Sequence, residues 1–171
     1  NAKYLETSQK LEEAGAEAII ICANTPHNVY DYVHDKISIP ILHIADATGK
    51  RAQQLGLEKL GLLGNKPTMT GSFIANRLKN NFQIETIIPD DQFIDQAHHY
   101  VSKELTQGTF SDDALHFFKE QIEQLVQNGA DGIILGCTEL PILFKDHKMD
   151  VPLLATTDLH VNMAVDFILD R

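Results

Sequence analysis

The sequence has little of what disulfide-rich, membrane and nucleic-acid-binding proteins need. It holds two cysteines in 171 residues, and its polar start carries no signal-peptide core. A disulfide framework is therefore not expected, and we expect a reducing cytoplasm. No apolar run is long enough to cross a bilayer. The formal net charge of −10 argues against nucleic acid and membrane partners, but it is compatible with an acidic small substrate, because one pocket can differ in sign from the whole surface.

Signatures of metals and cofactors are also missing. The chain contains no HExxH, no paired CxxC and no GxGxxG after a predicted strand. The loop after "KLGLLG" lacks the GxxxxGK[ST] order of a P-loop. Nothing marks a lysine for pyridoxal phosphate. We therefore predict no metal site and no cofactor.

What the chain does contain is a regular alternation of two kinds of segment. Short runs rich in Ile, Leu and Val are typical of buried parallel strands, namely "AEAIII", "IPILHI", "KLGLLG", "IETIIP", "DGIILG" and "VPLLA". Amphipathic stretches of helical length lie between them. One ends at Gly15 as a C-cap, and another begins at Ser111 as an N-cap and ends at Gly129. The alternation predicts α/β architecture with parallel sheets and right-handed crossovers.

The two ends of the chain resemble each other. When "GAEAIIICANTPH" is laid on "GADGIILGCTELP", Gly15 falls on Gly129 and Ile19 on Ile133. The segment 39–46 then resembles the segment 151–158. We predict two pseudo-symmetric α/β units with the active site in the cleft between them.

The predicted domain bounds follow from this repeat. We assign residues 1–56 plus 156–171 to the first domain and residues 57–155 to the second. Ligands bind at the carboxyl ends of parallel strands, so polar residues that follow the predicted strands are the candidates for the site.

Cys137 is the strongest candidate for chemistry. It follows "DGIILG", where the preceding glycine lets the backbone approach a ligand closely. We expect a following helix to point its N-terminus at the thiol and to lower the thiol pKa. The alternative is a buried structural cysteine.

Neutral hydrogen-bonding groups follow the other strands and suit a carboxylate. They are Asn24 and Thr25, Asn65 and Thr68 in "LGNKPTMTGS", and Thr138 beside the thiol; the ionisable Glu139 that follows Thr138 is a further candidate for substrate binding. Ordinary helix caps are the alternative reading. Among the histidines, His27 could cap or orient a neighbour, His160 lies early in the last helix, and His98 and His99 are expected on a solvated helix face.

The segments "ANTPH", "KLGLLGNKPTMTGSF" and "GADGIILGCTELP", in this order, resemble the aspartate/glutamate racemase family. "VPLLATTDLHVNMAVDF" is similar to that family's C-terminal segment, so the resemblance covers nearly the whole chain. Members usually begin with a strand and a glycine-rich turn that this chain lacks, and we expect an N-terminal part to be missing. The resemblance implies a cytoplasmic, homodimeric isomerase that racemises a small acidic amino acid without a cofactor.

In that family two cysteines flank the substrate Cα, and one removes a proton while the other returns one from the opposite face. The resemblance assigns catalysis to Cys137 and substrate binding to the neutral groups named above; Asn65 stands where threonine is common. The usual first cysteine directly precedes Asn-Thr, but Ala23 holds that slot here and Cys22 comes one residue earlier. A one-residue shift turns a strand side chain to the opposite face. Two outcomes stay open: Cys22 points into the core, or a turn brings it into the cleft.

Three functions therefore remain in view. The first is a cofactor-independent racemase, slow or one-sided if it has one thiol. The second is a related enzyme of the same superfamily, similar to arylmalonate decarboxylase, maleate isomerase or hydantoin racemase. The third is a non-catalytic carboxylate-binding protein that has lost its first thiol.

Overall fold

Two parallel sheets form the framework of the computed structural model, which describes residues 1–169. The strands are β1 (Ile19–Ile20), β2 (Ile41–Leu42), β3 (Lys59–Gly64), β4 (Glu85–Ile87), β5 (Gly132–Gly136) and β6 (Leu153–Ala155). β1 and β2 form one sheet, and the other has the order β4-β3-β5-β6, with every pair parallel. Each strand lies within an apolar run identified from the sequence. The predicted α/β fold class is confirmed.

Helices connect the strands. They are α1 (Ala2–Glu13), α2 (Tyr30–Val33), α3 (Ile44–Leu55), α4 (Lys66–Thr70), α5 (Ser72–Phe82), α6 (Asp91–His99), α7 (Asp112–Gln127), α8 (Leu140–Leu143) and α9 (Thr156–Leu169). A 3₁₀ segment, Thr25–Val29, follows β1, and a π-helical turn, Tyr100–Glu104, follows α6. Ser111 caps α7 as predicted, because its side chain accepts a hydrogen bond from the Ala114 N–H.

The larger sheet is buried on both faces. On one face, Leu60, Leu62 and Ile134 pack with residues of α3 and α5. On the other face, Leu63 and Ile133 pack with residues of α6, α7 and α8. Burying a side chain of this size stabilises the fold by about 1.5–3 kcal/mol. The central strands β3 and β5 are thereby held rigidly, and their carboxyl ends have fixed positions.

The sequence repeat is visible in the strand register. Ile19 pairs with Ile41 in the small sheet, and the residues aligned with them, Ile133 and Leu153, pair in the large one. The helices that follow, α3 and α9, begin at aligned positions and pack against each other. The two halves are therefore pseudo-symmetric.

The helices before the paired strands also match. α1 and α7 end at aligned positions, and each is followed by a glycine in the left-handed region, Gly15 at φ 90° and Gly129 at φ 93°. The C-cap of α1 is Ala14, so the predicted cap, Gly15, lies one residue beyond the observed one. The predicted domain bounds stay a prediction, and residues 170 and 171 lie outside the described residues.

Candidate active site

Hydrogen bonds join the loop after β1 to the strand that carries the thiol. The Asn24 Nδ2 group donates to Thr156 Oγ1 at 3.0 Å, and Thr156 Oγ1 donates to the Leu135 carbonyl at 2.9 Å. Leu135 lies in β5, two residues before Cys137. The carboxyl ends of β1, β5 and β6 therefore belong to one network, which links residues far apart in sequence.

A second set of bonds adds the end of β3. Thr25 Oγ1 lies 2.7 Å from Thr68 Oγ1, and Asn65 Nδ2 donates to Thr25 Oγ1 at 3.1 Å. Asn65 is also the N-cap of α4, since its Oδ1 accepts from the Thr68 N–H at 2.9 Å. Three residues predicted to bind substrate are thus in direct contact. For Asn65, the ordinary cap interpretation is correct, and its part in substrate binding stays a prediction.

Two glycines allow this close approach. Gly64 and Gly136 pair across β3 and β5. A Cβ atom on Gly64 would lie 2.8 Å from the Gly136 carbonyl oxygen, and a Cβ on either glycine would lie 3.3 Å from the Thr68 methyl group. Thr68 can therefore lie over both strand ends only while these positions carry no side chain.

Cys137 is 7% exposed, and its Sγ donates to Glu139 Oε2 at 2.7 Å. Burial raises the pKa of the Cys137 thiol to about 12, and the hydrogen bond to the Glu139 carboxylate adds to this increase. The backbone N–H groups of Glu139 and Leu140 act in the opposite direction but have smaller effects. The expectation that a helix N-terminus lowers this pKa was wrong in sign, because burial and a nearby negative charge outweigh it. At neutral pH, Cys137 is a protonated acid.

The remaining predicted binding groups have different environments. Thr138 is exposed, and its role in binding stays a prediction. Asn24 is 5% exposed, and its Oδ1 atom has no hydrogen-bond partner among the described residues. A buried amide oxygen without a partner costs about 1–3 kcal/mol, so this atom can accept a hydrogen bond from a bound molecule.

Cys22 is exposed and does not lie in the core. Ile19 and Ile21 pack in the small core cluster, whereas Ile20, on the other face, is 42% exposed. Alternate side chains therefore point to opposite faces, as expected, but the face away from the core is exposed to solvent. The strand ends in a tight turn at Cys22, where the Ala23 N–H donates to the Ile21 carbonyl at 2.8 Å. The interpretation of Cys22 as a core residue is therefore wrong, and its part in catalysis stays a prediction.

Three buried histidines lie behind the strand ends. His27, His43 and His160 are at most 4% exposed, and the His27 ring centroid lies 4.6 Å from that of His43 and 5.5 Å from that of His160. Burial lowers the pKa of His27 to about 4 and that of His43 to about 2, and it also lowers the pKa of His160. All three are therefore neutral at physiological pH. Within residues 1–169, no group of His, Cys, Asp and Glu side chains is arranged to hold a metal ion.

A cavity of about 560 Å³ lies beside this network, lined by residues that include His43, Tyr30 and Arg77. Arg77 forms two bonds with Asp46, Nε to Oδ1 at 2.6 Å and Nη2 to Oδ2 at 2.7 Å, and its guanidinium lies 4.2 Å from the Tyr30 ring centroid. Asp46 compensates the charge of Arg77, and Cys137 is not among the residues that line this cavity. A carboxylate near Cys137 would therefore meet neutral donors rather than this guanidinium.

Sequence reasoning missed Thr156 and His43. Thr156 lies in "VPLLATTDLHVNMAVDF" and directly follows β6, and this position after a strand is the signal that could have identified it. The repeat places it at the start of α9 as Ile44 lies at the start of α3. His43 follows β2 and caps α3, since its Nδ1 atom accepts from the Ala45 N–H at 3.1 Å. Of the histidines predicted on a solvated face, His99 is exposed, whereas His98 is half-buried and lies 3.4 Å from the Lys66 N–H.

Comparison with known proteins gives consistent results. A broad-specificity amino-acid racemase, RacX of Bacillus subtilis, is 27% identical over 88% of this chain and 64% of the relative. A glutamate racemase from Sulfurihydrogenibium is 25% identical over 85% of this chain and 55% of the relative. The chain therefore spans somewhat more than half of the length of these relatives.

Solved structures match as well. A crystal structure of a candidate Asp/Glu racemase from Yersinia pestis is 37% identical with a TM-score of 0.91, covering 98% of this chain and 74% of that one. An aspartate racemase homologue from Pyrococcus horikoshii is 29% identical with a TM-score of 0.85, covering 97% and 73%. Among residues 1–169, no helix has the length and apolarity that crossing a membrane requires. The Asp/Glu/hydantoin racemase family model matches residues 1–164, and the chain belongs to that family.

Proposed function

We propose that this chain exchanges the proton at Cα of a small acidic amino acid and inverts the configuration of that carbon, without a cofactor, through Cys137. The observation that carries the proposal is the position of the thiol. It is buried at the end of β5, bonded to Glu139, and connected through Leu135 and Thr156 to the amide of Asn24. The racemase activities named for the relatives support the same reaction class.

Neutral donors would bind the substrate carboxylate. The N–H groups of Asn24 and Thr25 have no hydrogen-bond partner among the described residues, and the hydroxyl groups of Thr25 and Thr68 lie next to them. Negative charge spreads onto the carboxylate when the Cα proton leaves, so donors fixed in a water-poor site stabilise the transition state. Neutral donors do this without placing a second cation beside the substrate ammonium group.

The proton path begins at the thiol. Transfer of the Cys137 proton to Glu139 leaves a thiolate and a neutral carboxylic acid. The thiolate then takes the Cα proton, and the electron pair of the C–H bond stays on the substrate. Return of a proton from Cys137 restores the original configuration, and Glu139 then gives its proton back to the thiolate. Protonation by water on the opposite face inverts the configuration, and the hydroxide that remains takes the proton from Glu139.

The other face of the substrate lacks an obvious acid. Ala23 occupies the slot aligned with Cys137, and Cys22, one residue earlier, is exposed. We therefore propose that exchange at Cα is faster than inversion, and that the two enantiomers react at unequal rates. We also propose a cytoplasmic homodimer, as the family resemblance implies.

A second reaction is favoured by the same lone thiol. Decarboxylation of a malonate-type diacid releases CO₂ and leaves the electron pair on Cα, and a single protonated cysteine can then supply the proton. The pKa of Cys137, raised to about 12, suits a group that acts as an acid and regains its proton from water. Release of CO₂ from such a diacid, with no exchange of any amino acid, would favour this reaction over racemisation.

Hydrogen exchange in D₂O separates these alternatives. We expect L- and D-aspartate or glutamate to lose their Cα proton signal with the native chain, and Cys137→Ser to lose at least about 10²-fold of this rate. Cys22→Ser is the matched control and should stay close to the native rate. A chain that binds these acids but exchanges none of them would be a binding protein. A native rate in Cys137→Ser would contradict the assignment of Cys137, and equal losses in both variants would contradict the one-thiol mechanism, because Cys22 would then act as a second acid or base.

A further inference from the structure

His27 connects the loop of the candidate site to the rest of the first unit. Its Nδ1 atom lies 2.8 Å from the Ala23 carbonyl and 3.3 Å from the Asn24 carbonyl. Its Nε2 atom lies 3.2 Å from the Ile44 backbone nitrogen, the first residue of α3. The ring therefore joins the end of β1 to the start of α3, and it is 1% exposed.

The contacts with Ala23, Asn24 and Ile44 select one tautomer of the ring, although the Leu42 carbonyl also interacts with the imidazole. Carbonyl oxygens accept, so Nδ1 must carry the proton, and the Ile44 N–H donates, so Nε2 must carry the lone pair. A neutral imidazole protonated at Nδ1 satisfies both contacts, whereas the other tautomer satisfies neither. The arrangement requires an imidazole with a defined proton position, rather than any side chain of similar volume.

The loop has few other attachments at this point. Asn24 is held by its side-chain bond to Thr156, and Thr25 by its hydroxyl contact with Thr68. The N–H groups of Asn24 and Thr25 make no hydrogen bond within residues 1–169. The Ala23 carbonyl is adjacent to these N–H groups, and without a donor it would repel a bound carboxylate.

We propose that His27 is a positioning residue of the site: as the Nδ1-protonated tautomer it engages the Ala23 carbonyl and holds the N–H groups of Asn24 and Thr25 in place for the substrate carboxylate. His27 acts through the loop and need not touch the substrate. The inference rests on the proposed function for the identity of that ligand. The geometry of the loop itself is independent of the reaction.

The competing interpretation is that His27 only fills space in a histidine cluster. His160 provides the matched control, because it is also buried, at 4% exposed, and makes one backbone bond, from Nε2 to the Leu42 carbonyl at 2.7 Å. That bond lies at the end of β2 and does not involve the loop at residues 23–25. A packing role predicts equal consequences for both histidines.

Two isosteric replacements distinguish the roles. The amide of Asn can place a donor near the position of Nδ1, and the amide of Gln reaches the position of Nε2 instead. We expect His27→Asn to keep KM within about threefold, and His27→Gln to raise KM about tenfold, equivalent to about 1.4 kcal/mol, with a smaller change in kcat. His160→Asn should lower stability without raising KM.

Measurements that need no activity complete the test. Amide hydrogen exchange at Asn24 and Thr25 should quicken about tenfold in His27→Gln, less in His27→Asn and not in His160→Asn. In the native chain, ¹⁵N NMR should show His27 protonated at Nδ1 near neutral pH, and a proton at Nε2 would overturn the inference even if the variants do not fold. Equal rates of amide hydrogen exchange at Asn24 and Thr25 in all three variants would also overturn the inference. The expected exchange pattern in a chain without racemase activity would instead refute only the proposed function.

Discussion

At the scale of single residues, the chemistry of the site depends on how burial and charge act on Cys137. With its pKa raised to about 12, roughly one molecule in 10⁵ carries the thiolate at pH 7. Such a group is a weak acid that is almost always protonated, and it is rarely present as the base. Glu139, bonded to the thiol at 2.7 Å, is the residue positioned to accept its proton when a substrate is bound.

The variant Glu139→Gln should separate the acidity of the Cys137 thiol from the rate of exchange at Cα. Removing the carboxylate removes one cause of the high pKa, so the Cys137 pKa should fall while burial keeps it above the ordinary value. The pH dependence of iodoacetamide alkylation, in a Cys22→Ser background, measures this change. Exchange at Cα should nevertheless fall by about 10²-fold, because the amide cannot take up the thiol proton. Glu123→Gln, at an exposed position of α7, is the control, and an unchanged alkylation midpoint in Glu139→Gln would count against the pairing.

Ala23→Cys should add an acid on the face of the substrate opposite Cys137. Position 23 aligns with Cys137 in the repeat, and it directly precedes Asn24 and Thr25. We expect inversion to accelerate at least about tenfold relative to exchange, as measured by polarimetry and NMR on the same sample. Ala23→Ser, similar in size but a weak acid, is the matched control. A folded Ala23→Cys chain with no gain in inversion would show that position 23 does not face Cα.

At the scale of elements, local patterns predicted the strands that are buried on both faces. β3 covers the whole of "KLGLLG", since α3 and α5 cover one face and α6 and α7 the other. β1 is shorter than "AEAIII", because its only partner among the described strands is β2, and ladder bonds form over two residues. Asn24 and Thr25 could be predicted from their position after a strand. Their bonds to Thr156 and Thr68 span 132 and 43 positions, and no local pattern encodes such contacts.

The glycine at the end of β3 provides a test at this scale. Gly64→Ala would place Cβ 2.8 Å from a backbone oxygen of β5, which cannot move without shifting the strand. We expect the free energy of unfolding in urea to fall by about 1–3 kcal/mol. Hydrogen exchange at the substrate Cα should also be slower, since Thr68 must shift. Gly61→Ala in the same strand is the control: its Cβ would meet the side chains of Ile133 and Leu125, which can change rotamer, at 2.7 and 2.9 Å. Similar exchange rates in the two variants would contradict the role of Gly64 in the site.

At the scale of the whole molecule, neutral and paired groups connect the two halves. α9 follows a strand of the large sheet, yet its His160 bonds to the carbonyl of Leu42 in the small sheet. Arg77 of α5 is ion-paired with Asp46 of α3, and the two side chains are 19% and 21% exposed. In addition, α3 packs against α9. The stability of the complete fold should therefore respond to the protonation of the buried histidines.

Acidification should destabilise the fold in a defined range of pH. The ordinary histidine pKa is 6.5, and burial lowers it to about 4 for His27 and about 2 for His43, where the charges of His27 and Arg77 add to the effect of burial. His160 is lowered by burial as well. The unfolded chain therefore binds protons before the folded one does. The stabilisation is complete above about pH 6.5 and is lost as the pH falls, down to about 4 for His27 and about 2 for His43.

The slope of the free energy of unfolding against pH can be predicted and compared with that of control variants. Each neutral histidine contributes up to about 1.4 kcal/mol per pH unit to the loss, so the free energy of unfolding in urea should fall by several kcal/mol between about pH 7 and pH 5. Partial neutralisation of the −10 net charge acts in the opposite direction, because it reduces repulsion among carboxylates. His27→Asn, which cannot titrate, should have a shallower slope, whereas His99→Gln at an exposed position should keep the native one. A flat profile, or the same slope for His27→Asn and the native chain, would mean that the cluster is already protonated or already hydrated in the folded state. The connection between the two halves would then not depend on neutral imidazoles.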